Sequence, residues 1–213
     1  MKLNGYIDHT LLKQNATEAD LRRLCAEAKE YQFKTVSINS CWTALCADLL
    51  AGSGVGVTTC IGFPLGACST AAKVAEASQA VKDGTAEIDT VLNVGHFIAG
   101  DTDYCKKDIA AVVEAAQGHP GKVILECCLL SDEQIASACE CAIEAGASFV
   151  KTSTGFSTGG ATVHDVEIMK RTVGDRCKIK ASGGIHTREE AEALIAAGAD
   201  RLGCSASIAI CSE

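Results

Sequence analysis

The sequence predicts an α/β protein, a single (β/α)8 TIM barrel spanning residues 1–213. Three observations predict it. Short apolar or alternating runs recur eight times along the chain, segments with helical periodicity separate them, and the connections are short. Parallel strands joined by right-handed crossovers follow from that alternation, and eight such units close into a barrel with its helices outside. An open doubly wound sheet would use the same elements, but no Gly-x-Gly-x-x-Gly follows the first strand. With 213 residues and 47% apolar residues, the chain fits one domain with a substantial core.

The elements follow in order. Residues 6–10 form a short strand, and Thr17 caps a helix with Asp20 three residues on and an apolar stripe of Leu21, Leu24, Cys25 and Ala28. Strand 33–39 leads to helix 42–50, stopped by Gly52. Strand 55–62 leads through G-F-P-L-G to helix 70–83, stopped by Gly84. Strand 87–94 precedes a helix over 103–117. Strand 122–128 precedes a helix that Ser131, Glu133 and Gln134 open and Gly146 closes. Strand 148–153 is followed by a glycine-rich loop through Gly159 and Gly160 and a helix from about Thr162 to Arg171. Strand 177–181 precedes a helix capped by Thr187, with Ala191, Leu194 and Ile195 in its stripe. Strand 201–204 leaves room only for a short final helix.

A formal net charge of −8, without a clustered basic patch, excludes a nucleic-acid or anionic-membrane surface, so any anionic ligand has to be held locally. No basic segment followed by an apolar stretch opens the sequence and no apolar run approaches a membrane span, which makes the cytosol the expected compartment. The thirteen cysteines are odd in number and irregular in spacing. Cys25, Cys60, Cys139 and Cys177 stand where Ala or Val would serve, and neither Cys127-Cys128 nor Cys139-x-Cys141 has the gap of a structural zinc site. Neither disulfides nor a metal is expected, and a reducing compartment fits the composition.

The chemistry centres on residues 149–155, F-V-K-T-S-T-G, which place Lys151 near the C-terminal end of a buried strand. An ammonium buried there has to be deprotonated, paired or used, the alternative being a lysine that snorkels to water. The seventh strand, K-I-K-A-S-G-G, supplies a second candidate. Lys178 and Lys180 share a face, and only Lys180 lies at the C-terminal end. Neighbouring strands run about 4.8 Å apart, so Lys151 and Lys180 can approach closely, and two adjacent cations disfavour double protonation. That prepares a lysine for nucleophilic attack on a carbonyl.

A carboxylate is expected beside them, and Asp89 of E-I-D is the deeper candidate on its strand, as an ion-pair partner or as a proton-transfer group. Asp8 and Glu126 could also face the centre, in catalysis or in hydrogen-bonded support. The loops after strands seven and eight carry Gly183, Gly184, Gly203 and Ser205. Glycine lets backbone N–H groups approach an anion, and serine adds a donor, so a phosphate is the expected ligand of this corner.

Taken together, F-V-K-T-S-T-G-F, K-A-S-G-G-I, E-I-D-T-V-L-N, I-G-F-P-L-G-A and I-D-H-T-L-L resemble deoxyribose-phosphate aldolase, in the family's order and from Ile7 to about Ser207. The resemblance implies a class I aldolase that reversibly cleaves 2-deoxy-D-ribose 5-phosphate to D-glyceraldehyde 3-phosphate and acetaldehyde, with no metal or organic cofactor and with assembly as a homodimer. It implies that Lys151 forms the Schiff base, Lys180 perturbs it, Asp89 donates and accepts protons, and Gly155, Gly183, Gly184, Gly203 and Ser205 hold the phosphate.

Some members of the family carry a lysine after S-T-G, where this chain has Phe156, so that contribution to phosphate binding is expected to be missing. Others end in a tail with a terminal tyrosine implicated in proton transfer; this sequence ends Cys211-Ser212-Glu213, and no such tyrosine is expected to operate. Proline is frequent where this chain has Ser40, and Cys41 beside it could react with aldehydes. Two alternatives stand beside this reading: a Schiff-base barrel aldolase for another sugar phosphate, and a barrel that binds a phosphorylated sugar without turnover.

Overall fold

The computed structural model describes residues 2–212; Met1 and Glu213, the two ends of the expected domain, lie outside the described residues. All eight predicted strands form: β1 (Ile7–Leu11), β2 (Thr35–Asn39), β3 (Gly56–Ile61), β4 (Glu87–Val91), β5 (Gly121–Ile124), β6 (Phe149–Lys151), β7 (Lys178–Ser182) and β8 (Arg201–Cys204). They pair in sequence order, all parallel, and β8 returns to β1 to close the barrel.

Nine α-helices are described: α1 (Glu18–Tyr31), α2 (Thr43–Leu50), α3 (Thr70–Lys82), α4 (Val94–Ile98), α5 (Thr102–Ala115), α6 (Asp132–Glu144), α7 (Val163–Val173), α8 (Arg188–Ala196) and α9 (Ser207–Ser212). Thr17 with Asp20, Ser131 with Gln134, and Thr187 with Glu190 each form a reciprocal capping box, which satisfies otherwise orphaned N–H groups at the starts of α1, α6 and α8. Outward strand residues such as Val36, Ile38, Val123, Val150, Ile179 and Leu202 are buried against the helices, so the main apolar core is the layer between barrel and helices.

The strands are shorter than expected where specific groups interrupt them. β4 stops at Val91, whose carbonyl accepts from the buried Lys73 Nζ at 2.9 Å, and Asn93 then caps the unforeseen α4. β5 stops at Ile124 because Glu126 takes a left-handed backbone, φ 59°, and opens a 3-10 turn over Cys127–Leu129. β6 is only three residues long, which makes Lys151 its last residue. Cross-strand register sets Lys151 opposite Lys180 and Ile124, and Asp89 opposite Lys122 and Cys60. Residues paired in register share a face, so all of these point into the barrel.

Above β6 and β7 the backbone fixes the loops against each other. Ala161 N donates to the Gly183 carbonyl at 2.9 Å, and a Cβ on Gly160 would lie 2.3 Å from that carbonyl oxygen. Gly160→Ala should therefore force the two loops apart and cost about 1–3 kcal/mol of stability by overpacking. A melting temperature unchanged from the parent would refute this account of the contact.

Candidate active site

Strand alternation brings seven ionisable side chains into the barrel, where bulky aliphatics are the rule. Asp89 is the hub. Its Oδ2 accepts from Lys151 Nζ and from Lys180 Nζ, each at 2.8 Å, and its Oδ1 from Lys122 Nζ, also at 2.8 Å. Lys180 continues to Asp8 Oδ2 at 2.6 Å, and Lys122 to Glu87 Oε2 at 2.7 Å. Arg201 closes the circuit, lying 2.7 Å from Asp8 Oδ1 and 3.1 Å from Glu87 Oε2. The result is a ring, Asp89, Lys180, Asp8, Arg201, Glu87, Lys122 and back, in which charges alternate and three cations balance three carboxylates. Lys151 hangs on this ring through Asp89 alone.

Threonines complete the floor: Thr35 Oγ1 donates to Asp8 Oδ1 at 2.8 Å, and Thr58 Oγ1 to Glu87 Oε2 at 3.3 Å. Below them Phe149 packs its ring against Lys122, Lys178 and Arg201. Gly203 makes room for the Lys180 chain, since a Cβ there would lie 3.1 Å from Lys180 Cε.

A cavity of about 330 Å³ opens above Lys151 at the C-terminal ends of β6, β7, β8 and β1. Lys151 is the one member of the ionic network that lines it, and the other sides include Thr154, Phe156, Ser182, Gly155, Gly183, Gly184, Gly203 and Ser205. Gly155, Gly183 and Gly184 have φ of 82°, 83° and 74°, a left-handed backbone that L side chains rarely adopt. Ser182 Oγ donates to the Ser153 carbonyl at 2.6 Å and ties the loops after β6 and β7 together. The space therefore combines glycine-rich backbone and small hydroxyls on its sides with the amine of Lys151.

A family model described as DeoC/LacD family aldolase matches residues 3–212. The chain belongs to the DeoC/LacD aldolase family. It is 57% identical over 211 residues to a deoxyribose-phosphate aldolase of Clostridium novyi, covering 99% of this chain and 95% of that protein. It is 56% identical over 210 residues to one of Finegoldia magna, covering 99% of each. Among solved structures, a tetrameric deoxyribose-phosphate aldolase from Aeropyrum pernix superposes with a TM-score of 0.92 at 32% identity, over 99% of this chain and 89% of that one.

Within this aldolase barrel the sequence-predicted residues converge. Lys151, Lys180 and Asp89 meet at one oxygen, and all five predicted phosphate residues line the cavity above them. Asp8, expected to face the centre, is the second residue of β1 and belongs to the ring. Glu126 does not join it. Its carboxylate accepts from Thr154 N at 3.1 Å and from Thr154 Oγ1, and so secures the loop after β6. Cys41 is exposed in the 3-10 turn after β2, away from the residues that line the cavity, and all thirteen cysteines are free thiols. Lys178 lies at the far mouth, on Phe149. Lys122 and Arg201 were missed as site residues. Both were visible as charges inside strand runs, Lys122 on the same face as Ile124.

Burial alone would raise the Asp89 carboxyl, but Lys122, Lys151 and Lys180 hold it well below the usual carboxylate range. Asp8 is likewise buried, and Lys180, Lys122 and Arg201 bring it down to about 2. Lys180 goes the other way. Burial disfavours its charge, yet Asp8 and Asp89 raise it above the normal lysine range. The depressed carboxylates contribute stability present above their unfolded pKa near 4 and lost as pH falls toward about 2. The raised Lys180 contributes stability present below the unfolded lysine value near 10.4 and lost as pH rises beyond it. Denaturant unfolding should therefore give a plateau between about pH 5 and 10 with a fall on each side, and a curve flat from pH 5 to 2 would contradict the ring. Lys122→Met, which strips one cation from two buried carboxylates, should cost about 3–5 kcal/mol in the same assay.

Proposed function

We propose that this chain is a class I aldolase that reversibly cleaves 2-deoxy-D-ribose 5-phosphate to D-glyceraldehyde 3-phosphate and acetaldehyde through a Schiff base on Lys151. The observation that carries the reading is that Lys151 alone spans the buried ionic network and the cavity. The family membership and the names of the relatives support the substrate.

The charge count favours Lys151 as nucleophile over its neighbours. Lys122, Lys180 and Arg201 are each held between two carboxylates, and with Asp8, Glu87 and Asp89 they already sum to neutrality. Only Lys151 can act as a free amine without leaving a buried carboxylate unbalanced. The glycine loops with Ser205 would grip the C5 phosphate and present C1 to that amine. Attack of Lys151 Nζ on C1 and loss of water give the iminium. Removal of the C3 hydroxyl proton then breaks the bond between C2 and C3, not C3 and C4, because acetaldehyde carries away C1 and C2. The electron pair of that bond enters the iminium and leaves an enamine on Lys151. Glyceraldehyde 3-phosphate departs, the enamine takes a proton at C2, and water hydrolyses the imine to acetaldehyde.

Asp89, held so far below the carboxylate range, is a weak base by itself. We assign it the task of holding the Lys180 ammonium 2.8 Å from the oxygen that also binds Lys151, so that proton exchange runs over Lys180 and Asp89 as a unit. A non-catalytic binding barrel has no use for an amine outside a balanced ring. The abundance of free thiols supports a cytosolic setting, and the family resemblance supports a homodimer, which sedimentation velocity would read directly.

Borohydride reduction in the presence of acetaldehyde, followed by peptide mass mapping, should give a two-carbon adduct on Lys151 and none in Lys151→Leu, which should also lose turnover. Labelling spread over surface lysines would defeat the mechanism. Ser205→Ala should raise KM for the phosphorylated sugar by roughly tenfold, the size of one lost charge-assisted hydrogen bond, with a smaller change in kcat.

A further inference from the structure

We propose that Lys13 is a specificity-determining residue, the cation that receives the phosphate of the substrate; this rests on the aldolase reading above. The cavity above Lys151 contains no Asp or Glu in its lining, although the chain carries 27 acidic residues and a net charge of −8. That lining is therefore selected for an anion. Its backbone supplies donors: the N–H groups of Gly155, Gly183, Gly184 and Ser205 make no hydrogen bond to any acceptor among the described residues. N–H dipoles orient a phosphate but leave its two negative charges unneutralised.

Lys151 cannot supply the missing charge, because it is used at the carbonyl end and is paired with Asp89. Phe156 offers the cavity an aromatic ring, packed edge-on to Phe63 at 5.2 Å. His186 stands beside Glu190, whose carboxylate takes the His186 N–H at 2.7 Å. Lys13 remains. It lies two residues beyond the end of β1, in a connection held by Asn39 Nδ2 on the Leu12 carbonyl at 3.2 Å and by Ala16 N on the Lys13 carbonyl at 3.0 Å. Its side chain is exposed, lines the cavity, and forms no ion pair among the described residues. An unpaired ammonium on a restrained loop at the rim of an acid-free cavity is suited to meet a dianion from solvent and to close on it.

The test uses three full-length proteins, the parent, Lys13→Met and Lys13→Arg, and two readouts. The first is the dissociation constant for inorganic phosphate, which requires no turnover. The second is the ratio of kcat/KM for cleavage of deoxyribose 5-phosphate to that for unphosphorylated deoxyribose. Lys13→Met should weaken phosphate binding about tenfold, equal to about 1.4 kcal/mol, and lower the ratio by a similar factor through KM, while Lys13→Arg should stay within about twofold of the parent on both. Unchanged phosphate affinity in Lys13→Met, or an equal loss in Lys13→Arg, would overturn the role of the charge. Loss of the aldolase reading would appear separately, as absence of cleavage of either sugar by the parent.

Discussion

Asp89 and the three ammonium groups around it are the constraint on which the rest of the structure depends. Three lysines from three strands converge on two oxygens of one carboxylate, each at 2.8 Å, in a barrel interior that excludes water. Such groups are costly to bury, and the cost is tolerable only if every charge is matched at contact distance. A closed barrel in strict strand order is the arrangement that brings β1, β4, β5, β7 and β8 to one axis at a common height. The apolar layer that stabilises the fold is accordingly displaced outward, to the interface of strands and helices, and the axis is given over to chemistry.

That division of labour also explains why the loops can be irregular. The ring lies below them and does not depend on them. The backbone above β6 and β7 is free to take left-handed turns at Gly155, Gly183 and Gly184, and is steadied by Ser182 on Ser153 and by Glu126 on Thr154. A buried carboxylate on a left-handed residue that holds one loop amide is an expensive device, and it is placed where the loop leaves the strand that ends in Lys151.

Much of this was legible in the sequence because the relevant signals are local. A lysine in F-V-K-T-S-T-G, a second in K-I-K-A-S-G-G and an aspartate in E-I-D are charges inside apolar runs, and strand alternation alone points them to one side. Glycine pairs after the last two strands mark close backbone approach. The capping boxes of α1, α6 and α8 were equally plain. What escaped was set by register. Nothing in G-K-V-I says that Lys122 stands opposite Asp89, and nothing in the position of Arg201 says that it joins Asp8 to Glu87 across the barrel. Strand ends escaped for a related reason: β4 ends where Lys73 reaches its last carbonyl from a helix eighteen residues earlier in the chain. The role of Glu126 turned on a backbone conformation that composition does not encode.

The ring's neutrality sets Lys151 apart from the other three cations. Had the barrel held a fourth carboxylate for Lys151, all four cations would be matched one to one, and none would stand outside the ring. Had it held one cation fewer, Lys151 would be needed to balance the three carboxylates and would no longer stand outside the ring's charge count. Three against three, with one lysine attached at a shared oxygen and opening onto the cavity, makes a single amine both surplus to the charge balance and fixed in place. The standing of Lys151 is therefore a property of the count of charges around the axis, and changing a ring member other than Asp89 alters its surroundings without removing a direct contact.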